Sequence, residues 1–290
     1  MDYTLSLEIQ YDFPRPTGGG RQLLRITPQQ NAQQSLTQFQ VDISPRPSEQ
    51  SVFTDFFGTE VIEVVLPGGI KNFSIKMRAK VQRHAAMPQF DVSPDLQHLR
   101  DEILSMRDLG PHSPHHYLAP TPSIPRLGEI ADFATRVSHK ARTSREIIEA
   151  LGRAVYHHMT FDAKATEVHT PIQESFTARR GVCQDYAQIM ICALRSLAIP
   201  AAYAAGYLRT LPPEGQPRLQ GADAMHAWVR AWAGAEMGWL DFDPTNNCWV
   251  AEDHILVGFG RDYADAAPVT GSLILEGGQS GRHAVDISGA

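Results

Sequence analysis

Cysteine is scarce in this 290-residue chain, which contains only Cys183, Cys192 and Cys248. An odd, widely spaced set of three disfavours a disulfide framework and is typical of proteins kept in a reducing compartment. The sequence therefore predicts a cytoplasmic protein with reduced thiols, in which Cys192 and Cys248 are structural.

Long apolar runs and clusters of basic residues are also missing. No segment approaches the ~20 apolar residues of a membrane-spanning helix, and the alternating residues 1–6 lack the basic lead and apolar core of a secretory signal. The net charge is -6 and the isoelectric point is near 6.0, whereas nucleic acid or an anionic membrane requires clustered Lys and Arg. We therefore expect neither as a partner.

Alternating polar and apolar residues dominate the first part of the chain. Residues 4–13 and 73–81 alternate as half-buried strands do. Shorter strand candidates lie at residues 23–26, 39–43 and 61–66. The chain is long enough for two domains with cores, and this pattern predicts an antiparallel β-sandwich over residues 1–84.

Proline and histidine are enriched in residues 85–125, which we expect to connect two domains across the surface. Helix signal there is limited to residues 95–109. The run Pro111-His112-Ser113-Pro114-His115-His116 has no cysteine or acidic residue at metal-ligand spacing, so solvated loop histidines are favoured over a zinc site. We predict no metal and no cofactor.

Residues 126–290 begin with helices and continue with strands. One helix is predicted at residues 130–137, and a second runs from the capping box Thr143-Ser144-Arg145-Glu146 to Met159. A cap at Thr170, with Pro171 as the first helical residue, opens a third that ends near Gly181. Strands are predicted at 201–208, 224–232 and 238–243, and near 272–275 and 284–287. Helices followed by an antiparallel sheet indicate an α+β domain.

Cys183 stands at the start of a predicted helix. Residues 184–197 contain good helix formers without Gly or Pro, and Gly181 marks a break just before them. The helix dipole and the free amides of the first turn favour a thiolate there and could stabilise an oxyanion. The alternative is that Cys183 is a buried small hydrophobe. A nearby base would decide in favour of a nucleophile.

His226 and two aspartates supply candidates for that base and its orienting group. His226 lies in the predicted strand 224–232, and the next strand carries Asp241 and Asp243 on one face. A tight turn centred on Gly234-Ala235 would place Asp243 directly opposite His226. This register favours Asp243 and leaves Asp241 open. A thiol, a histidine and a carboxylate together indicate acyl transfer.

Five sequence blocks carry a family resemblance. They are Gly181-Val182-Cys183-Gln184-Asp185, Gly206-Tyr207-Leu208, Gly221-Ala222-Asp223, His226-Ala227-Trp228 and Asp243-Pro244-Thr245-Asn246-Asn247. In this order and spacing they resemble the bacterial transglutaminase-like cysteine protease family. The beginning of the chain is similar to the β-rich bacterial transglutaminase N-terminal domain, and residues 257–265 are similar to the family's closing block. Phe259 interrupts that block, and Met225 stands where a small residue is common.

The resemblance implies a papain-like α+β catalytic core after the sandwich, and a triad of Cys183, His226 and Asp243. It implies a cysteine protease or amide hydrolase that acts through a thioester on a peptide or protein substrate. Transamidation by a transglutaminase, or a non-catalytic binding module that keeps the fold, are the alternatives. All three triad residues are present, which favours an enzyme. The sequence leaves the oligomeric state undetermined.

Further cleft candidates are Gln184, Asp185, Tyr207, Asp223 and Trp228. Asp185, in the first helical turn, either caps free amides or lines the cleft, and we favour the cap. Trp228 either shields the thioester from water or packs the hairpin, and packing is commoner for tryptophan on paired strands. Tyr207 and Asp223 match family blocks without an assignable role.

Overall fold

The alternating N-terminal segments form strands in the computed structural model, which describes residues 1–84, 90–210 and 223–289. The strands are β1 (Asp2–Asp12), β2 (Gly20–Leu24), β3 (Gln34–Ser44), β4 (Glu49–Thr54), β5 (Glu60–Leu66) and β6 (Asn72–Arg83). β4 lies outside the predicted strands because all six of its residues are exposed and no buried face marks it. The alternation of the other strands matches their burial, since odd residues from Tyr3 to Ile9 are buried.

Five helices of the described chain lie between residues 96 and 196. They are α1 (Leu96–Ser105), α2 (Gly128–Ser138), α3 (Ser144–His158), α4 (Ile172–Ala178) and α5 (Cys183–Ser196), with a 3-10 turn at Pro114–Tyr117. The capping box at α3 forms, because the Thr143 hydroxyl accepts the N–H of Glu146 at 3.2 Å. The predicted cap at Thr170 is wrong: Pro171 is the N-cap residue of α4, without a side-chain bond.

The predicted connecting segment contributes to the core as well as to the surface. Leu99 and Ile103 of α1 are buried in the catalytic core, and Tyr117 of the 3-10 turn is fully buried. The imidazoles of His115 and His116 contact backbone carbonyl oxygens at 3.3 and 2.9 Å. These two histidines are therefore engaged by their own loop.

A five-stranded antiparallel sheet follows the helices. A short parallel pair, β7 (Thr160–Phe161) and β8 (Arg180–Gly181), precedes it. The five-stranded sheet consists of β9 (Ala201–Leu208), β10 (Ala224–Trp232), β11 (Trp239–Asp243), β12 (Cys248–Trp249) and β13 (His254–Gly260). Their order is β12-β11-β10-β9-β13. α5 packs on this sheet, and its apolar face from Ile189 to Leu194 is buried. The α+β class predicted from the sequence is confirmed.

After the short helix α6 (Tyr263–Ala266), the last two strands leave the catalytic core. β14 (Val269–Leu273) pairs with β2, and β15 (Ser280–Gly289) pairs with β1. The sandwich thus has two four-stranded sheets, in the orders β15-β1-β6-β3 and β14-β2-β5-β4. The predicted division had grouped both strands with the catalytic domain. Val285 and Ile287 join the sandwich core because they alternate into its buried face.

Buried contacts join the sandwich to the catalytic core. The carboxamide of Gln34, which is fully buried, donates to the carbonyl oxygen of Leu256 and accepts its N–H, both at 2.9 Å. Gln34 thus extends the hydrogen bonding of β13 in the way a strand backbone does. No helix in the described part of the chain is long and apolar enough to cross a membrane.

Candidate active site

The chain turns sharply before α5 and presents Cys183 at its first helical position. α4 ends at Arg179, whose φ of 55° is left-handed. The pairing of β8 with β7 then directs the chain into the N-cap residue Val182. Cys183 is half-buried. The predicted helix start is therefore observed within one residue.

Asp185 secures this turn from inside the protein. Its carboxylate, 3% exposed, accepts the N–H of Val182 at 2.8 Å and the hydroxyls of Thr166 and Ser175 at 2.6 and 3.0 Å. The N–H of Asp185 itself reaches the carbonyl oxygen of Val182. The N–H groups of Cys183 and Gln184 are left as the first-turn donors of α5. Asp185 is a cap, as favoured from the sequence.

His226 lies on β10, in the middle of the sheet. It is 7% exposed and pairs in register with Gly206 of β9. A Cβ at position 206 would lie 2.1 Å from the carbonyl oxygen of Ile255 and 2.7 Å from the Trp228 ring. Glycine there lets β9 and β13 approach closely behind the imidazole.

Asp243 is the centre of a buried hydrogen-bond network. Its Oδ2 lies 2.7 Å from His226 Nε2, and its side chain is 0% exposed. The carboxylate has four further partners: His254 Nε2 at 3.1 Å and Asn246 Nδ2 at 2.7 Å on Oδ2, and the N–H groups of Thr245 and Asn246 at 2.9 and 3.2 Å on Oδ1. Each oxygen is thus saturated with donors, as a buried carboxylate requires.

The hairpin that brings these residues together differs in register from the prediction. Val229 pairs with Phe242 and Trp232 with Trp239, so the turn is centred between Ala235 and Glu236. Asp243 is therefore two residues displaced from the position directly opposite His226. The contact still forms because residues of the same face on neighbouring strands lie within reach diagonally.

Asp241, which the sequence left as an alternative, has another partner. It pairs in register with Arg230, and Arg230 Nε lies 3.1 Å from Asp241 Oδ1. The two carboxylates of β11 are thus divided between two cations of β10. Of the two, only Asp243 contacts His226.

His254 is a member of the site that the sequence analysis missed. It begins β13, is 5% exposed, and points its Nε2 at the same Asp243 oxygen as His226. Its Nδ1 accepts the N–H of Ala251 at 3.4 Å, which leaves Nε2 as the donor nitrogen. The sequence signal that could have identified it is that His254 directly precedes the run at residues 255–260, which has no charged residue. The structure buries this whole run.

The pKa shifts of Asp243 and His226 follow from these contacts. Burial alone would raise the pKa of Asp243, but hydrogen bonds from His226 and His254 hold it well below its ordinary value. Burial would lower the pKa of His226, but its hydrogen bonds with Asp243 and with Cys183 outweigh burial and raise it. The arrangement therefore favours a protonated imidazole that is bonded to the carboxylate and lines the same cavity as Cys183.

Three side chains of this hydrogen-bond network are of the types that bind metal ions. Ligand atoms of His226, Asp243 and His254 lie within 4.8 Å of one another, and they are the group of this kind found among the described residues. Both imidazoles, however, use Nε2 to bond the carboxylate. Hydrogen bonding within the protein thus already engages the atoms a cation would take.

A cavity of about 480 Å³ lies beside Cys183 and His226. Cys183 and His226 lie in its wall with Gln184, Tyr203, Met225 and Tyr263. Gln184 lines this cavity, and its Nε2 donates to the carbonyl oxygen of Val168 at 2.9 Å. The cleft beside the sulfur is mainly apolar.

The remaining sequence candidates have structural contacts. Tyr207 lines the cavity, but its hydroxyl donates to the carbonyl oxygen of Ile26 in the sandwich at 2.7 Å. Asp223 is 5% exposed, accepts the N–H groups of Thr210 and Ile287, and ties β10 to β15. Trp228 is 1% exposed and packs edge-on against His254. Gly221 and Ala222 of the family block lie outside the described residues.

Comparison with known proteins gives the family. Residues 131–244 match the family model of the transglutaminase-like superfamily, and residues 3–82 match the bacterial transglutaminase-like N-terminal region. Over these two regions the chain is similar to proteins of the transglutaminase-like superfamily. The resemblance predicted from the sequence blocks is confirmed for both the catalytic and the N-terminal part of this transglutaminase-like protein.

Relatives extend over different shares of the chain. An uncharacterized protein of Mycobacterium tuberculosis is 41% identical over 131 residues, which is 44% of this chain and 42% of the relative. The match thus spans less than half of that relative's length. An uncharacterized protein of Mycobacterium leprae is 28% identical over 278 residues, covering 96% of this chain and 92% of the relative.

A solved structure shares the whole fold. A protein of Cytophaga hutchinsonii, provisionally named a cysteine protease, superposes with a TM-score of 0.77 over 99% of this transglutaminase-like chain and 90% of that one. The two are 20% identical, so the likeness shows the fold.

We expect Cys183 to react with limiting iodoacetamide before the other thiols. Burial raises the pKa of Cys192, and burial with the neighbouring Asp243 raises the pKa of Cys248 to about 11, so both remain thiols near neutral pH. Cys183 is half-buried at a helix N-terminus beside His226. Peptide mapping by mass spectrometry after partial alkylation measures the order. Equal labelling of all three thiols in the folded protein would contradict a nucleophilic Cys183.

We expect the His226 imidazole to stay protonated at neutral pH. Since its pKa is raised in the folded state, its contribution to stability is complete below the ordinary value of about 6.5 and is lost as pH rises through the raised value. Titration of the labelled histidine by NMR measures this directly. Asp243→Asn should move the pKa of His226 back towards its ordinary value, and a wild-type ring that titrates near its ordinary value sinks the prediction.

Proposed function

We propose that this chain is a thiol-dependent acyl-transfer enzyme that hydrolyses peptide or amide bonds. The supporting observation is that the helix-start thiol Cys183 and His226 line one cavity, and that His226 Nε2 lies 2.7 Å from the buried Asp243. A nucleophile, a base and a group that orients the base are the parts this chemistry needs.

Acylation begins at the Cys183 sulfur. With the proton held by His226, the thiolate attacks the substrate carbonyl carbon, and the carbonyl oxygen becomes an oxyanion. In this proposal the N–H of Cys183, a first-turn donor of α5, stabilises that charge. The intermediate collapses when His226 gives its proton to the leaving amine, which departs and leaves a thioester on Cys183.

Deacylation reverses these roles with water. His226, now neutral, takes a proton from water as the oxygen attacks the thioester carbonyl. The second tetrahedral intermediate expels the sulfur, and the carboxylic acid leaves. Asp243 acts in both halves by fixing the ring orientation, since its bond to Nε2 leaves Nδ1 for the sulfur and the water.

Hydrolysis is favoured over transamidation by the surroundings of the thiol. An amine must outcompete water at tens of molar, so a cross-linking enzyme has to bind and orient its acceptor. Ala205, Met225 and Ala227, which line the cavity beside His226, are apolar. Nothing among the described lining residues near His226 offers a carboxylate for an ammonium group.

A binding module that keeps the fold is the second candidate function. It would have no use for a carboxylate that is fully buried and held by two histidines, an arrangement that costs desolvation energy. We therefore retain the enzyme, with peptides or proteins of the cytoplasm as its substrates.

The two aspartates of β11 should differ strongly in activity. Asp243→Asn keeps the shape of the side chain but removes the charge that orients and stabilises the imidazolium, so kcat should fall by about 10³ to 10⁴. Asp241→Asn is the matched control, because Asp241 pairs with Arg230 instead, and should cost less than about tenfold. Steady-state kinetics with thermal unfolding of both variants makes the comparison. The opposite ranking would show that Asp241 is the orienting residue.

The products of the reaction show whether water or an amine is the acyl acceptor. A glutaminyl peptide and a peptide-bond substrate are supplied together with a labelled primary amine, and both products are followed by mass spectrometry. We expect cleaved peptide in excess of amine-labelled product, and no product of either kind from Cys183→Ala. Efficient amine incorporation without peptide cleavage would replace the hydrolase with a transglutaminase, and absence of both products would favour the binding module.

A further inference from the structure

The outer edge of β14 carries backbone groups without a strand partner. In the pairing of β14 with β2, the N–H of Arg25 donates to Pro268 at 2.9 Å and the N–H of Ile274 donates to Gly19 at 3.0 Å. Hydrogen-bonded positions alternate along an antiparallel strand. Residues 268, 270, 272 and 274 therefore face β2, and the N–H and C=O groups of 269, 271 and 273 face outwards. No other described strand pairs with this edge.

This edge lacks the features that usually block one. Exposed sheet edges commonly carry charged side chains that oppose pairing with another chain. The other edge strands of the sandwich each have an ionisable residue: Asp42 in β3, Glu49 in β4, and Arg282, His283 and Asp286 in β15. β14 reads Val-Thr-Gly-Ser-Leu and has none. It is open to pairing with an extended chain.

The edge borders a cleft next to the cavity that contains Cys183. A cleft of about 790 Å³ has all five residues of β14 in one wall and Gln184, Gln188 and Tyr263 of the catalytic core in the other. Gln184 and Tyr263 also line the cavity that holds Cys183 and His226, and so does Pro268, the residue before β14. The two spaces thus adjoin each other at Gln184 and Tyr263.

We propose that β14 is the substrate-binding strand of this protein, on which an extended peptide segment adds as a fifth strand. This rests on the proposed hydrolase, and it specifies the substrate as a chain that can adopt β geometry. Five strand residues span about 16 Å at about 3.3 Å each. The bound segment therefore comprises about five residues on one side of the bond at Cys183, with alternate peptide groups bonded to β14.

Strand addition predicts that the backbone N–H groups of the substrate peptide matter only at every second residue. A blocked, labelled decapeptide, resynthesised from the best-cleaved member of a random decapeptide library, is N-methylated at one residue at a time. Methylation should lower kcat/KM about three- to tenfold at every second residue on one side of the scissile bond, as expected for one lost hydrogen bond. Equal effects at consecutive residues, or none, would overturn strand addition.

A proline in β14 tests the protein side. Leu273→Pro removes an outward N–H, a position where an edge strand tolerates proline. Its kcat/KM should fall about three- to tenfold relative to Leu273→Ala, mainly through KM. Val52→Pro is the matched control: β4 is the opposite edge of the same sheet, and the bond from Asp55 N–H to Thr59 places Val52 outwards by the same alternation. Unchanged KM in Leu273→Pro, with unfolding temperatures equal to Leu273→Ala, would contradict the proposal.

Amide exchange separates this proposal from the catalytic one. In Cys183→Ala with the decapeptide bound, exchange at 269, 271 and 273 should slow, while 270 and 272 are already protected by β2. If the wild type cleaves no library member, the hydrolase fails, and the same exchange measurement with the unselected decapeptide pool still decides strand addition: no slowing at these three amides overturns it. Slowing that rises with protein concentration and needs no peptide would instead identify a second copy as the occupant and overturn the proposal.

Discussion

The burial of one carboxylate governs the architecture around the cleft. Asp243 is completely removed from water, and an unpaired carboxylate there would cost several kcal/mol. Its donors come from β10, from the turn after β11 and from β13, so those three elements must be in place together. Because β13 also bonds the sandwich through Gln34, the same requirement extends to the N-terminal part of the chain.

The two histidines on Asp243 have different duties because their second nitrogens differ. His254 Nδ1 accepts the N–H of Ala251, which leaves Nε2 as the nitrogen that donates to Asp243. His226 bonds the carboxylate through Nε2 and lines the cavity with Cys183, so in the proposed reaction its ring is the one that exchanges a proton with substrate. Asp243 thus divides its hydrogen bonding between His254 and His226. The bond with His254 limits how strongly the carboxylate can hold the proton on His226.

Local patterns were sufficient to predict much of the fold and the helix that begins at Cys183. The alternation of β1 and β6, the capping box at Thr143 and the helix start at Cys183 all follow from neighbouring residues. The hairpin register was missed because the turn is longer than two residues, with Gly234 and Gly238 both at positive φ. The pairing of β15 with β1 was missed because it joins distant parts of the sequence, and no local signal specifies such a partner. His254 escaped notice because its importance lies in a contact with β11 that periodicity does not show.

The path of the chain through the sandwich also constrains how the protein is made. β1 and β2 emerge from the ribosome before the catalytic core, but their neighbours β15 and β14 are synthesised after it. Translation proceeds at about 5–20 residues per second, so both early strands wait for their partners with open edges while the whole catalytic core is being added. One wall of the cleft is built from β14. A nascent chain that already contains Cys183, His226 and Asp243 therefore lacks that wall until synthesis has passed residue 273, which delays a complete thiol site until the sandwich itself can close.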